Sequence, residues 1–332
     1  MTVVRWGVLG ASDVAATRMI PAMRRLGHVV AAVGDPTPAW AEAYASRHAI
    51  PVATSVEGLL ERDDVDAVYI STVNELHRAH AEAAAAAGKH ILCEKPLALS
   101  VEDGRAILAA CERAGVILGT NHHLPGAGTH RRVRELVGAG AVGEILAVRV
   151  FHAVMLPVRL QGWRLGNRAG GGVALDITCH DAAVLNPLLG ALPVDVVAFA
   201  VHQGSWDAAA EDALMATLRY ASGALVQTHD AYTIAHAPTG LHVLGSAGSI
   251  FATGVMVQDP LGTIVLRDAG GEREIPVEDR RDLYDISVGG FGEAVAGASR
   301  PVVSGLDGLN AVAVALAVRE AAHTGRRVDV RA

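Results

Sequence analysis

An α/β architecture is expected, with a doubly wound parallel sheet in the first third of the chain and a large, mainly antiparallel open sheet after it. Three features point there. Short β-branched runs alternate with Ala-rich stretches of helical length up to about residue 120. Strand-like runs then follow one another, several of them parted by turn signals. The length of 332 residues also suits two domains, at roughly 150 residues each. The pattern changes near residue 121 without a spacer, so the expected domains are 1–121 and 122–332.

Val3–Leu9 reads as the first strand and Val14–Leu26 as the first helix. His28–Val33 and Trp40–His48 repeat the pair. Ala67–Ile70 precedes a helix over His77–Ala87. His90–Cys93 precedes a helix opened by Ser100, with Asp103 placed to complete a variant capping box. Val116–Thr120 closes the series. A glycine-containing loop, Leu124–Gly128, then leads to a basic helix around Arg131–Leu136, where His130 is expected on a solvated face. Strand-like runs follow at Ile145–Val154, Val194–Val201, Leu214–Tyr220, Ala224–His229, Leu241–Leu244 and Thr263–Arg267. Ala221-Ser222-Gly223, Ser246-Ala247-Gly248 and Gly270-Gly271 mark turns. One helical stretch, Asp176–Leu185, interrupts the strands, and Pro187 is expected to break or kink it. Helices near Tyr284–Ala296 and Gly305–Ala322 come last.

Acidic residues outnumber basic ones 35 to 28, and aromatics make up 4%. A nucleic-acid partner would want a basic face and stacking rings, so none is expected. Disorder is disfavoured by an apolar content of 51% and a mean hydropathy of +0.31. No run approaches the ~18 apolar residues of a membrane span, so no membrane partner is expected. The stretch Val3–Gly10 is too short and too glycine-rich for a secretory signal. Three cysteines, odd in number and without metal spacing, fit a reduced, cytoplasmic setting. The second domain's sheet leaves open a pairing with another copy of the chain.

The first strand–helix junction carries Gly10-Ala11-Ser12-Asp13-Val14-Ala15, a loose form of the dinucleotide-binding fingerprint. Gly10 permits the tight turn, Ser12 offers a hydroxyl and an amide to phosphate, and Ala15 lets the helix pack close. The alternative is an ordinary strand–helix turn. Asp13 is odd beside a pyrophosphate unless it caps the helix or pairs with Arg18. Asp35 stands at the end of the second strand, about 20 residues past the glycine turn, where a carboxylate accepts from ribose hydroxyls and repels a 2′-phosphate. No base follows before Arg47, so NAD(H) is favoured over NADP(H). Otherwise Asp35 merely opens a turn before Pro36.

Cys93-Glu94-Lys95-Pro96 follows a strand at the carboxyl edge, where such sheets bind ligands. A lysine held there can donate a proton or polarise a carbonyl; taken alone it is a solvated strand-end residue. Downstream, Asp176 and His180 lie four apart after Gly170-Gly171-Gly172. On a helix they share a face, which suits acid–base work. The glycines would let backbone approach a ligand. A solvated pair and half a metal site are the other readings, but further ligands at metal spacing are missing, so no metal is expected.

Together, the Gly10 loop, Ser71-Thr72-Val73-Asn74-Glu75-Leu76-His77, Gly88 through Leu97 and Gly172 through Asp181 resemble the Gfo/Idh/MocA family of NAD(P)-dependent oxidoreductases. The resemblance implies a dinucleotide-binding Rossmann domain, then an α/β domain with an open sheet. It implies Lys95 and His180 as the catalytic pair, with Asp176 orienting His180 or substrate. Gly10, Ala11, Ser12, Asp13, Val14, Ala15, Asp35, Ser71, Thr72, Asn74, His77, Glu94, Lys95 and Asn121 would line the cofactor. Trp163, Arg164 and Tyr284 would join them, and His123 and His152 are candidate substrate contacts. The Lys95–Pro96 bond is of the type often cis in the family. The implied reaction is reduction or oxidation of a cyclic sugar-type carbonyl or alcohol. The nearest-looking branch reduces an anhydro-sugar ketone with NADPH, which leaves NADP(H) as the second cofactor choice. Other sugar or inositol dehydrogenases, and NAD-dependent glycosidases on the same fold, are the alternatives. A non-catalytic dinucleotide sensor would have no use for Lys95 and His180.

Overall fold

The computed structural model describes residues 3–167, 169–204, 206 and 208–332. The chain forms two compact units. The first comprises Met1–His123 with Tyr284–Leu309, and the second Leu124–Leu283 with Asn310–Ala332. The first unit thus includes a segment from near the C-terminus, for which a linear reading has no periodic signal.

In the first unit, β1 (Arg5–Leu9), β2 (Val29–Gly34), β3 (Val52–Thr54), β4 (Ala67–Ile70), β5 (His90–Cys93) and β6 (Leu118–Thr120) form a parallel sheet. Its order is β3-β2-β1-β4-β5-β6, which reverses direction between β1 and β4. In sheets of this kind, ligands bind outside the carboxyl ends of the strands at such a switch point. All four residues of β4 are buried, and so are the last four of β1, as helix cover on both faces requires. The connections include α1 (Ile20–Arg25), α2 (Pro38–His48), α3 (Val56–Leu60), α4 (His77–Ala86) and α5 (Val101–Ala114). Ser100 caps α5 by accepting from the Asp103 amide at 3.0 Å, and Gly115 ends it in the left-handed region. Strand β3 and helix α3 were not expected: each is too short to show a period.

The second unit holds α6 (Gly128–Gly138), β7 (Ile145–Ala153), α7 (Val158–Gly166), α8 (Cys179–Leu189) and β8 (Asp195–Val201). Then come β9 (Ala213–Arg219), β10 (Leu225–Ala231), β11 (Gly240–Gly245), β12 (Gly248–Thr253), β13 (Thr263–Asp268), β14 (Gly271–Ile275) and, far downstream, β15 (Val328–Asp329). The sheet order is β14-β13-β12-β11-β7-β10-β9-β8-β15, antiparallel throughout except for the β7–β10 pair. Its strands alternate. Val148, Val150, Leu214, Leu218 and Val226 face a core shared with α6 and α8, while Leu146, Val197, Phe199, Met215 and Leu225 are exposed. A concavity of about 510 Å³ on the outward face is lined by Arg149, Phe151, Gln227, His229 and His242, and none of the sequence-selected site residues lines it.

Two helices have parts in both units. α9 (Leu283–Val295) sends Tyr284, Val288 and Phe291 into the core around Trp6, with the Trp6 and Phe291 rings 5.3 Å apart. α10 (Gly305–Thr324) contributes Ala311, Val314 and Val318 to the second core. Two expectations need correction. Pro187 does not end α8, which continues to Leu189 before the left-handed Gly190. His130 is not solvated: it is buried with Nε2 3.1 Å from the Val255 carbonyl, and burial pushes its ring down to about 4. Its basic neighbours Arg131 and Arg132 suggested a wet face, but successive helix positions point about 100° apart.

Candidate active site

At the carboxyl edge of the parallel sheet the loops after β1, β2, β4, β5 and β6 carry most of the residues selected from the sequence. Gly10 has φ +98°, and a Cβ there would lie 2.8 Å from the Thr72 amide nitrogen. Only glycine fits both the dihedral and the space. Ser12 Oγ accepts from the Ala15 amide at 3.1 Å and donates to Ser71 Oγ at 2.9 Å, so it caps the first helical turn and ties β1 to β4. Tyr44 donates to the Ser12 carbonyl at 2.9 Å. At Asp13 the carbonyl accepts from Thr17 Oγ1; Val14 precedes a π-type turn, Ala15–Met19, that leads into α1. Asp35 accepts from the Ala11 amide at 3.1 Å and the Thr37 amide at 2.8 Å, so its carboxylate braces the glycine loop. We expect Gly10→Ala to weaken NADH binding by at least about tenfold, or ~1.4 kcal/mol, in a fluorescence titration. Unchanged affinity would show that this loop does not cradle the dinucleotide.

Thr72, Asn74 and His77 follow β4. Asn74 is nearly buried, and Thr72 Oγ1 lies 3.1 Å from His80 Nδ1. His77 is fully enclosed, with Nδ1 2.9 Å from the Pro96 carbonyl and Nε2 3.2 Å from the Thr72 carbonyl. A neutral ring donates to only one of these, and burial lowers its proton affinity. His77 therefore joins the β4 and β5 loops from below. The Lys95–Pro96 peptide is cis.

Beside Lys95, the Glu94 carboxyl is held by the Asn121 side-chain amide at 2.5 Å and by the Tyr69 hydroxyl. Ser287 in turn donates to Asn121 Oδ1 at 2.7 Å. Burial raises the Glu94 carboxyl, and these donors oppose that shift. His122 is pushed down to about 3 by burial and by the charge of Lys95, so the ring facing this ammonium is neutral. His123 stacks on Tyr284 with ring centroids 5.1 Å apart, and the Arg18 guanidinium lies 5.7 Å from the Tyr284 ring centre.

Trp163, Arg164, Asp176, His180 and His152 lie in the second unit. Arg164 donates through Nε to Asp176 Oδ2 at 2.9 Å and stacks over Trp163, 4.6 Å from its ring centre. Tyr232 donates to the same Asp176 oxygen at 2.9 Å. Asp176 sits on a π-type turn, Ala174–Thr178, that runs into α8 and His180. Two of the glycines before it, Gly171 and Gly172, sit where other parts of the chain pack closely. A Cβ on Gly172 would meet the Glu211 carboxylate at 2.4 Å, and one on Gly171 would meet the carbonyls of Trp163, Arg164 and Asn167. Among the described residues no group of three or more His, Cys, Asp or Glu side chains could hold a metal.

Tyr69, Ser287 and Tyr232 were missed from the sequence. Tyr69 passes as strand propensity, while Ser287 and Tyr232 meet partners far away in the chain.

A six-stranded sheet of this order, with a glycine turn after β1 and an acid after β2, defines a dinucleotide-binding scaffold. A family model described as "Oxidoreductase family, NAD-binding Rossmann fold" matches residues 4–122, and the "GFO/IDH/MocA C-terminal domain" matches 130–251. The chain is 45% identical over 98% of both lengths to 1,5-anhydro-D-fructose reductase of Ensifer adhaerens. The aldose–aldose oxidoreductase of Caulobacter crescentus superposes with a TM-score of 0.89 at 27% identity, over 99% of this chain and 100% of that one. A 3-ketoreductase from Actinomadura kijaniata, solved with TDP-benzene and NADP, gives 0.81 at 26%, over 96% and 97%. The chain belongs to the Gfo/Idh/MocA family and is an NAD(P)-dependent oxidoreductase.

Proposed function

We propose that this enzyme reduces the ketone of a cyclic anhydro-sugar, 1,5-anhydro-D-fructose foremost, with NAD(H) preferred over NADP(H). The observation that carries the substrate is the 45% identity, over nearly the whole chain, to a reductase of that name. Asp35, on the rim of the Gly10 turn, supports the cofactor preference, because its charge repels a 2′-phosphate. The residues present fit a dinucleotide: Gly10 leaves room that a Cβ would fill, and Ser12 and Ser71 present hydroxyls beside it. When bound, the nicotinamide supplies the hydride. Lys95 draws electron density toward the substrate oxygen, and His180 delivers the proton to it. Asp176 holds Arg164, which stacks over Trp163, and these two residues are proposed as cofactor or substrate contacts. All three cysteines, Cys93, Cys111 and Cys179, are free and buried, which suits a cytoplasmic setting. No helix of the described residues is long and apolar enough to cross a membrane.

Initial rates with NADH and NADPH against 1,5-anhydro-D-fructose and a panel of ketoses and inososes test this reading. The expected result is turnover of the anhydro-sugar with NADH preferred. An NADPH preference above about tenfold, or ~1.4 kcal/mol, refutes the role given to Asp35. Turnover confined to other panel members refutes the substrate. Substrate loss without a net change in nicotinamide absorbance identifies hydrolysis by transient oxidation instead.

A further inference from the structure

His152 on β7 and Asp230 on β10 are register partners in the parallel pair. They lie on the helix-covered face with Val148, Val150, Val226 and Thr228, at alternate positions of the two strands. Asp181 on α8 completes the group. Its Oδ1 is 2.7 Å from His152 Nδ1, and Thr178 Oγ1 donates to Asp230 Oδ2 at 2.5 Å. Both carboxyl groups are wholly enclosed, at 0% exposure. Their other oxygens, Asp181 Oδ2 and Asp230 Oδ1, are buried without a hydrogen-bond partner. Two ionised carboxylates so enclosed repel each other and leave acceptor sites unmet. One proton between the two orphan oxygens removes both penalties. Burial drives each carboxyl in that direction: Asp181 rises to about 7, and Asp230 rises well above its usual range, with Asp181 adding to its shift.

We infer that Asp181 and Asp230 share a single proton, and that this dyad, acting through His152, positions His180 and sets its proton balance. The His152 and His180 ring centroids are 6.4 Å apart. His130 on α6 also faces His152 electrostatically, but it is neutral above about pH 4. His152 is then a positioning residue rather than a substrate contact. The link to turnover rests on the proton-delivering role proposed for His180; the dyad itself does not.

Infrared spectroscopy of the ligand-free enzyme in D₂O at neutral pH tests the dyad directly. The expected result is a carboxylic-acid C=O band that disappears in both Asp230→Asn and Asp181→Asn. In Asp230→Asn, Thr178 would hold the new side-chain carbonyl oxygen and aim the amide nitrogen at Asp181, mimicking the shared proton. A wild-type spectrum without that band, or a band unaffected by either change, overturns the dyad. Turnover against pH tests the coupling. Asp230→Asn leaves the negative charge on Asp181 beside His152, so its profile should follow wild type within about threefold. Asp181→Asn moves the charge to Asp230, and His152→Gln cuts the connection while sparing the band; either should lose about tenfold or more and displace the profile. If Asp181→Asn does not fold, Asp230→Asn and His152→Gln carry the test. A His152→Gln profile superimposed on wild type overturns the coupling. Full turnover in His180→Ala would instead sink the functional reading, with the infrared band unaffected.

Discussion

Replacing Lys95 by Met or His180 by Ala is expected to lower kcat by about 10²–10⁴-fold while NADH still binds within about threefold of the parent affinity. The asymmetry follows from the architecture. The Gly10 loop, Ser12, Ser71 and Asp35 form one set of mutual hydrogen bonds at the ends of β1, β2 and β4, none of which involves Lys95 or His180. Lys95 adjoins a different assembly, the Glu94–Tyr69–Asn121–Ser287 chain, whose side chains hydrogen-bond one another and whose Glu94 carboxyl also feels the Lys95 charge. Removing the amine leaves the hydrogen bonds among these four side chains available. Lys95→Arg divides the two tasks open to this residue. A guanidinium still polarises an oxygen but does not give up a proton near neutrality. Partial activity in Lys95→Arg assigns the proton to His180, whereas loss as deep as in Lys95→Met gives it to Lys95. Steady-state rates with 1,5-anhydro-D-fructose and a fluorescence titration of NADH supply both readouts. Wild-type turnover in Lys95→Met and His180→Ala would remove the pair from the mechanism.

The second large effect concerns stability. Unfolded Asp181 and Asp230 ionise near pH 4, whereas in the native state burial raises both carboxyls, Asp230 well above its usual range. With one proton shared by the pair as inferred, folding above pH 4 takes up that proton. Native stability contributed by the pair is complete below pH 4 and is lost as pH rises, at about 1.4 kcal/mol per unit. Surface carboxylates act in the opposite sense at lower pH: Asp279, hydrogen-bonded by Arg281 and Arg131, sits well below the usual range. The comparison to make is therefore Asp230→Asn against wild type. The difference in unfolding free energy should move in the variant's favour by up to about 1.4 kcal/mol per pH unit as pH rises above 4. Urea titrations at several pH values measure it. Parallel pH dependences for the two proteins would mean that no proton is taken up there.

What could be read beforehand divides along physical lines. β4 and β5 were legible to the residue, because sandwiched parallel strands are short apolar runs with sharp ends. β14 was not: Gly271–Ile275 is mostly charged, as an edge strand tends to be, and buries only Ile275. α7 carries an interrupting Gly162 with non-helical dihedrals and gives little helical signal. In the candidate site, Gly10, Asp35 and Lys95 stood out because residue type and strand-end position coincide. Asp230 did not, because it closes an apolar alternation and finds Thr178 and Asp181 only through the sheet. Asp176 was legible as a residue but not in its contacts. Arg164 and Tyr232 also hold it, and no period connects either of them to it.

The contribution of Tyr284–Leu309 to the first unit has a consequence for biosynthesis. The six parallel strands leave the ribosome early, but Phe291, which packs on Trp6, is made only after more than half the chain has followed. At about 5–20 residues per second that gap is on the order of tens of seconds. Through this interval the core around Trp6 lacks the ring of Phe291 that packs on it in the folded unit. A transcript truncated before residue 284 would leave that core without the ring permanently.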